Sequence, residues 1–175
     1  MKTITSTISN EAVFSDDNRH RLLLRKVWDN EKPTAMIIMI NPNSADELSS
    51  DTTTMLVMNN LHKLGYGSVD IVNLYTMITG KLHFRFNSDD DLLHPDNDDV
   101  IYRSAEKSDT IIIGWGTVGL HNMRIRERQK AVLDMLKPFS DKICQISENG
   151  CHPLTPAIRN YWDLVPYTIE EENHD

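Results

Sequence analysis

Three segments of strand length, Ala35 to Ile40, Val69 to Leu74 and Thr110 to Gly114, are mainly apolar, the first without a break, and each is followed by a polar loop and a stretch of helix length. A fourth segment, Lys142 to Ile146, is followed by Asn149-Gly-Cys-His-Pro-Leu-Thr-Pro156. Continuous apolar runs of strand length are expected where a strand is buried on both faces, as in a parallel sheet covered by helices. Asp51 suits the N-cap of a first helix, with Met55, Leu56, Met58, Leu61 and Leu64 near helical spacing and Gly65 as its stop. The acids after Pro95 suit the first turn of a second helix ending near Lys107, and a third spans Met123 to Leu136. The first 30 residues differ: Thr3 to Ile8 alternates, and a polar turn at Asp16-Asp-Asn separates Ala12-Val-Phe-Ser from His20 to Trp28, which predicts a β-hairpin. The expected fold is α/β, a three-layer α/β/α sandwich around a four-stranded parallel sheet, plus an N-terminal β-hairpin. Right-handed crossovers cover both faces of such a sheet, and ligands bind at the carboxyl ends of its strands.

Length fits one domain: a β-rich extension over 1–30, an α/β core over 31–160 and an acidic tail at 170–175. The longest apolar run has six residues and no signal-peptide core opens the chain, so a cytoplasmic protein without membrane association is expected. Cys144 and Cys151 are too few for a disulfide framework or a structural zinc site, and neither a metal nor a cofactor is required. The net charge of −8 falls to −4 over residues 1–169, because the tail holds four acids and no base. A uniformly basic nucleic-acid coat is excluded. Two local basic stretches remain, Arg19 to Lys26 and Arg124 to Lys130, each either a phosphate track or a solvated face.

The strand ends carry the candidate chemistry: Asn41-Pro42-Asn43-Ser44, Asn73-Leu74-Tyr75, Trp115-Gly116 and, beyond the fourth strand, His152-Pro153. No Gly-rich phosphate loop and no Gly-x-Ser-x-Gly elbow occurs, which disfavours a dinucleotide enzyme, a P-loop kinase and a serine hydrolase. Amides that both donate and accept, beside aromatic faces, suit a planar base with a Watson–Crick edge. Asn41 can hold a water through its amide oxygen, with Asp46 as the alternative water partner; an Asn-Pro turn is the structural alternative. Asn73 can read a base edge or cap buried backbone, and Tyr75 or Trp115 can stack on a base or fill the core. His152 can donate to a base carbonyl as a neutral imidazole. Ser44, Thr52 and Thr53 can hold a phosphate or cap the helix, Asp96 and Asn97 read as an N-cap pair, and Cys151 reads as packing.

The segments Met39-Ile-Asn-Pro-Asn-Ser-Ala-Asp46, Asp51-Thr, Gly65-Tyr-Gly, Val72-Asn-Leu-Tyr75, Pro95-Asp-Asn-Asp98, Trp115-Gly and His152-Pro-Leu154 resemble the bacterial and phage family called domain of unknown function 1643. A more distant resemblance, confined to Ile40-Asn-Pro-Asn, Ile71-Val-Asn-Leu, Gly114-Trp-Gly and His152-Pro-Leu, is to the uracil-DNA glycosylase superfamily. It implies a water-placing first-strand motif at Asn41, a base-reading Asn73, and a loop His152 after the fourth strand. Met39 stands where that water motif has Gly, and Leu154 where the loop often has Ser.

The expected function is therefore nucleobase binding with N-glycosidic hydrolysis of a base, modified or not, in DNA or a nucleotide. Its partner is then a nucleobase, nucleotide or nucleic acid. A non-catalytic nucleotide- or nucleic-acid-binding module is the alternative, and an assembly protein with structural strand ends is a third.

Overall fold

The computed structural model describes residues 1–169, so the acidic tail lies outside the described residues. Seven strands share one sheet: β1 (Ser9–Phe14), β2 (Arg21–Val27), β3 (Thr34–Met39), β4 (Ser68–Asn73), β5 (Thr110–Ile113), β6 (Ile143–Ile146) and β7 (Leu164–Pro166). Their order is β1-β2-β4-β3-β5-β6-β7. The helices are α1 (Thr52–Lys63), α2 (Asp89–Leu92), α3 (Asn97–Lys107) and α4 (Met123–Leu136).

The sheet is mixed. β3 pairs in parallel with β4 and β5, and β5 with β6, so the four segments expected as buried strands form the block β4-β3-β5-β6. The pairs β1–β2, β2–β4 and β6–β7 are antiparallel. The expected four-stranded sheet is thus corrected to seven strands. An uncovered edge of the block would leave a row of backbone donors and acceptors unpaired, and β2 and β7 close the two edges. β7 has only three residues, too few for any alternation to be read. Residues 1–30 are likewise no mere extension, because β2 sits inside the sheet with Leu22, Leu23 and Leu24 all buried. The expected strand over Thr3–Ile8 is exposed non-strand chain.

Strand order dictates which face each helix covers. From β3 the chain steps one way to β4 and then back past β3 to β5, and right-handed crossovers in opposite directions fall on opposite faces. On one face α1 contributes Val57 and Leu61 to a core with Ile37, Met39, Val69, Ile71, Ile112 and Trp162. On the other, α3 and α4 pack Ile101, Ala105, Ile125, Val132 and Leu136 against Met36, Ile38, Val72, Ile111 and Ile113. Each such aliphatic side chain contributes about 1.5–3 kcal/mol through burial. The reversal of direction puts the crevice of the sheet at the carboxyl end of β3, between β4 and β5.

The otherwise apolar β4 carries Asp70, 2% exposed, which faces Arg25 in the antiparallel register with β2. Arg25 grips it side-on, Nε to Oδ1 at 2.6 Å and Nη2 to Oδ2 at 2.7 Å, and Ser104 Oγ donates to Oδ2 from α3 at 2.9 Å. A buried carboxylate is tolerated only when its lone pairs are met in this way. Among the described residues no helix is long and apolar enough to cross a membrane.

Candidate functional site

The loop between β3 and α1, residues 40–51, forms one wall of the crevice and is fixed by bonds from three directions. Leu74 N and Tyr75 N, just past β4, donate to Met39 O and Ile40 O, both at 2.9 Å. Two cations of β2, each 2% exposed, reach across: Arg21 Nη1 donates to Ala45 O, and Lys26 Nζ donates to Asp46 O at 3.1 Å. Asp46 folds the loop on itself, its Oδ1 accepting from Leu48 N at 2.8 Å and Ser49 N at 2.6 Å. Asp51 then caps α1 by accepting from Thr54 N at 2.8 Å.

Asn41 is oriented by its surroundings. Its Nδ2 donates to Thr79 O at 2.6 Å and Pro42 O at 3.1 Å. Both partners are carbonyls, which only accept, so the amide nitrogen must face them and Oδ1 remains an acceptor. His152 lies in the loop after β6. The backbone N–H of Leu154 donates to its Nδ1 at 3.1 Å, which requires Nδ1 to be unprotonated and puts the ring proton on Nε2. Burial pushes the His152 pKa below its ordinary value, so the ring is neutral with a donor at Nε2. Gly116, at φ +67°, packs beneath it: a Cβ there would stand 3.1 Å from the Cβ of His152. Only glycine gives β5's end both that left-handed backbone and that close approach.

Asn41 and His152 line one cleft of about 270 Å³, together with Arg21, Met39, Ile40, Asn43, Asp51, Thr53, Thr54 and Val118. A second hollow of about 270 Å³ shares His152 and Val118 with it and runs past Trp115, Gly116 and Thr117 to Asn149, Gly150, Cys151 and Thr155. A trough thus follows the carboxyl edge from β3 to β6.

The other expected residues divide. Asn73, at the end of β4 and 1% exposed, pairs in register with Met39 and, by strand alternation, shares its face. Neither Oδ1 nor Nδ2 of its amide has a hydrogen-bond partner, which is unusual for a buried amide. Pro42 is buried in the loop and Pro153 beneath the His152 turn, while Ser44 is exposed and outside the cleft lining. Trp115 is only 6% exposed and belongs to the α3–α4 core, touching the trough by its edge.

Three expectations are corrected. Tyr75 is 2% exposed, packs edge-on to Phe84 and donates its hydroxyl to Arg124 O at 3.1 Å; burial pushes its pKa up to about 12. It is a core residue and cannot stack on a ligand. Asp46 is engaged by its own turn, and the Ser49 and Leu48 N–H groups hold its carboxyl below the usual range, which makes it a weak base. Asn97 is no half of a cap: it is fully buried and its Nδ2 ties α3 to Asn73 O at 3.0 Å.

Most cations of the two basic stretches turn inward. Arg21 and Lys26 hold the loop, and Arg25 holds Asp70. Arg124 reaches Asp89 and Phe84 O, Arg126 reaches Gly119 O and Leu120 O, and Arg128 bonds Leu74 O and Asp98. Arg25, Arg124 and Arg128 thus serve the fold, while Arg19, Arg126 and Lys130 lie on the exposed surface. What sequence reasoning missed is that Arg21 and Asp51 are walls of the cleft. The available signal was Arg21 lying directly before the apolar triple Leu22–Leu24, which puts a cation at the end of a buried strand.

A pH dependence follows from two histidines. Burial, reinforced by the nearby His94, lowers the pKa of His20, whose Nδ1 lies 2.9 Å from Thr76 Oγ1, and burial lowers that of His152. The unfolded chain therefore binds more protons as pH falls through the ordinary histidine value of 6.5. Stability is fullest above that value and declines below it until the folded-state histidines also protonate. Urea titrations at pH 7.5, 6.5 and 5.5 are expected to show a falling midpoint, with a smaller fall in His20→Gln.

A search among curated proteins and one among solved structures each return no match. The model of the family described as a protein of unknown function (DUF1643) matches residues 21–154, from Arg21 on one wall of the cleft to the turn that carries His152 on the other. The chain belongs to the DUF1643 family.

Proposed function

We propose that the cleft receives a nucleobase with its sugar and that the protein hydrolyses the N-glycosidic bond between them. The observation that carries this reading is the pairing, in one cleft at the carboxyl edge of parallel strands, of the Asn41 Oδ1 acceptor with the Nε2–H donor of a neutral His152. Hydrolysis breaks the bond from the anomeric carbon to the base nitrogen and forms one to the oxygen of water. The base leaves with a proton that derives from that water. Asn41 holds the water, and His152 donates a hydrogen bond to the base carbonyl as negative charge builds there. The amide of Asn73 is sealed off and lines no part of the cleft, so it takes no part in reading the base. The order of the strand-end motifs supports setting this fold beside the uracil-DNA glycosylase superfamily.

A mass-spectrometric search for free base, released from a panel of normal and modified nucleosides, nucleotides and oligonucleotides, tests the reading. Asn41→Ala is expected to slow release at least tenfold with base binding intact. A specific observation favours a second reading, a binding module without turnover: Asp51, the carboxylate in the cleft lining, is engaged in capping α1, and Asp46 is locked in its turn. Binding with no release from any substrate selects that module.

A further inference from the structure

Two arginines of this protein show how its guanidiniums take a carboxylate. Arg25 presents its Nε–Nη2 edge to Asp70, and Arg124 presents the same edge to Asp89. That edge carries two parallel N–H bonds that match a carboxylate or phosphate. Arg21 is 2% exposed, yet among the described residues its guanidinium makes one hydrogen bond, from Nη1 to Ala45 O. Its Nε is buried without a partner, and Nη2, also unpartnered, is not sealed off in the same way. Leaving a charged donor buried and unmet is costly. Asp51 and Asp46 are close enough for their fields to reach Arg21, but neither forms an ion pair with it, and both are spent on backbone N–H groups.

Arg21 lines the cleft beside Asp51, Thr53 and Thr54, the first turn of the 12-residue helix α1. The partial positive charge of a helix N-terminus favours an anion at that place. Asn41 and His152, the groups assigned to the water and the base, line the same 270 Å³ space. We propose that the Nε–Nη2 edge of Arg21 and the first turn of α1 bind the phosphate of a nucleotide, so that the ligand is a phosphate ester and not a free base or nucleoside. Its identity as a nucleotide rests on the nucleobase reading; the phosphate subsite rests on Arg21 and α1 alone. The phosphate can belong to a mononucleotide or to a strand, and the two sources share this chemistry.

The test is calorimetric binding to the full chain of four probes: inorganic phosphate, a panel of nucleosides, the matching nucleoside 5′-monophosphates, and a short single-stranded oligonucleotide. Monophosphates are expected to bind at least tenfold more tightly than nucleosides, with inorganic phosphate competing. A mononucleotide preference or an oligonucleotide preference both support the subsite and name its source. Arg21→Lys keeps the charge but loses the two-pronged edge, and is expected to remove most of the gain. Because a buried arginine can be needed for folding, Thr53→Glu is the second variant: an acid in a first helical turn suits the helix, while its charge repels an anion from the cleft. It is expected to fold, by circular dichroism, and to lose phosphate binding. Equal binding of nucleosides and monophosphates with no competition by phosphate overturns the subsite and leaves the nucleobase reading standing. Phosphate binding with no preference among bases does the reverse, and no binding of any probe overturns both.

Discussion

His152→Ala is expected to lower the rate of base release by roughly 100- to 1,000-fold, the usual loss when one preorganised donor to developing charge is removed. Binding of the intact substrate should change far less, because the charge that Nε2–H meets exists mainly in the transition state. The effect therefore falls on kcat with KM nearly unchanged, which separates it from simple loss of a contact. His152→Gln keeps a donor at similar reach on a more flexible side chain and is expected to recover part of the rate. If the alanine variant instead binds nothing and the parent protein releases nothing, His152 is a binding residue of a module without turnover. Circular dichroism guards the comparison, since the Leu154 N–H that donates to Nδ1 loses its partner in either variant.

The largest expected effect on stability belongs to Asp70→Ala. It leaves Arg25 with Glu11, at 3.1 Å, as its remaining acid partner and leaves Ser104 Oγ without its acceptor. Breaking a buried, hydrogen-bonded ion pair from one side costs about 3–5 kcal/mol; the 31% exposure of Arg25, which lets water reach it, puts the expectation near the lower figure. Urea denaturation monitored by circular dichroism is the measurement. The double variant Asp70→Leu with Arg25→Leu should recover most of the loss, because removing both partners leaves no orphaned charge. A single-variant loss below about 1 kcal/mol would mean that the pair behaves as an exposed one.

The central block of the sheet was legible because burial on both faces writes itself as mainly apolar segments, and Ala35 to Ile40 or Thr110 to Gly114 admit little else. Of the flanking strands, the hairpin of β1 and β2 was legible, but its place against β4 and the whole of β7 were not. β7 is three residues long, and β2 contains Arg21, Arg25 and Lys26, which read as a basic surface until their partners, distant in sequence, are known. The same limit governs the site. Asn41 and His152 stood out as strand-end residues of the right chemistry, and the structure puts both on one cleft. Asp46 and Tyr75 stood out equally, but a turn from Asp46 to Ser49 and a ring contact from Tyr75 to Phe84 decide their roles, and neither is visible in residue type.

The seat of β2 beside β4 bears on the order in which the chain assembles. The β1–β2 hairpin is made first and can close locally, yet Leu22 to Leu24 find no lasting burial until β4 has been made, after β3 and α1. Non-local pairings of this kind are slow, since loop-closure entropy is lost before contacts are gained. Arg21 and Lys26 reach Ala45 O and Asp46 O only once β2 has docked, so the wall of the cleft sets late, after the parallel strands that support it. A chain begun at residue 31 would leave β4 as a bare edge able to capture other strands. In a refolding experiment, recovery of ligand binding should therefore lag behind recovery of the far-ultraviolet signal.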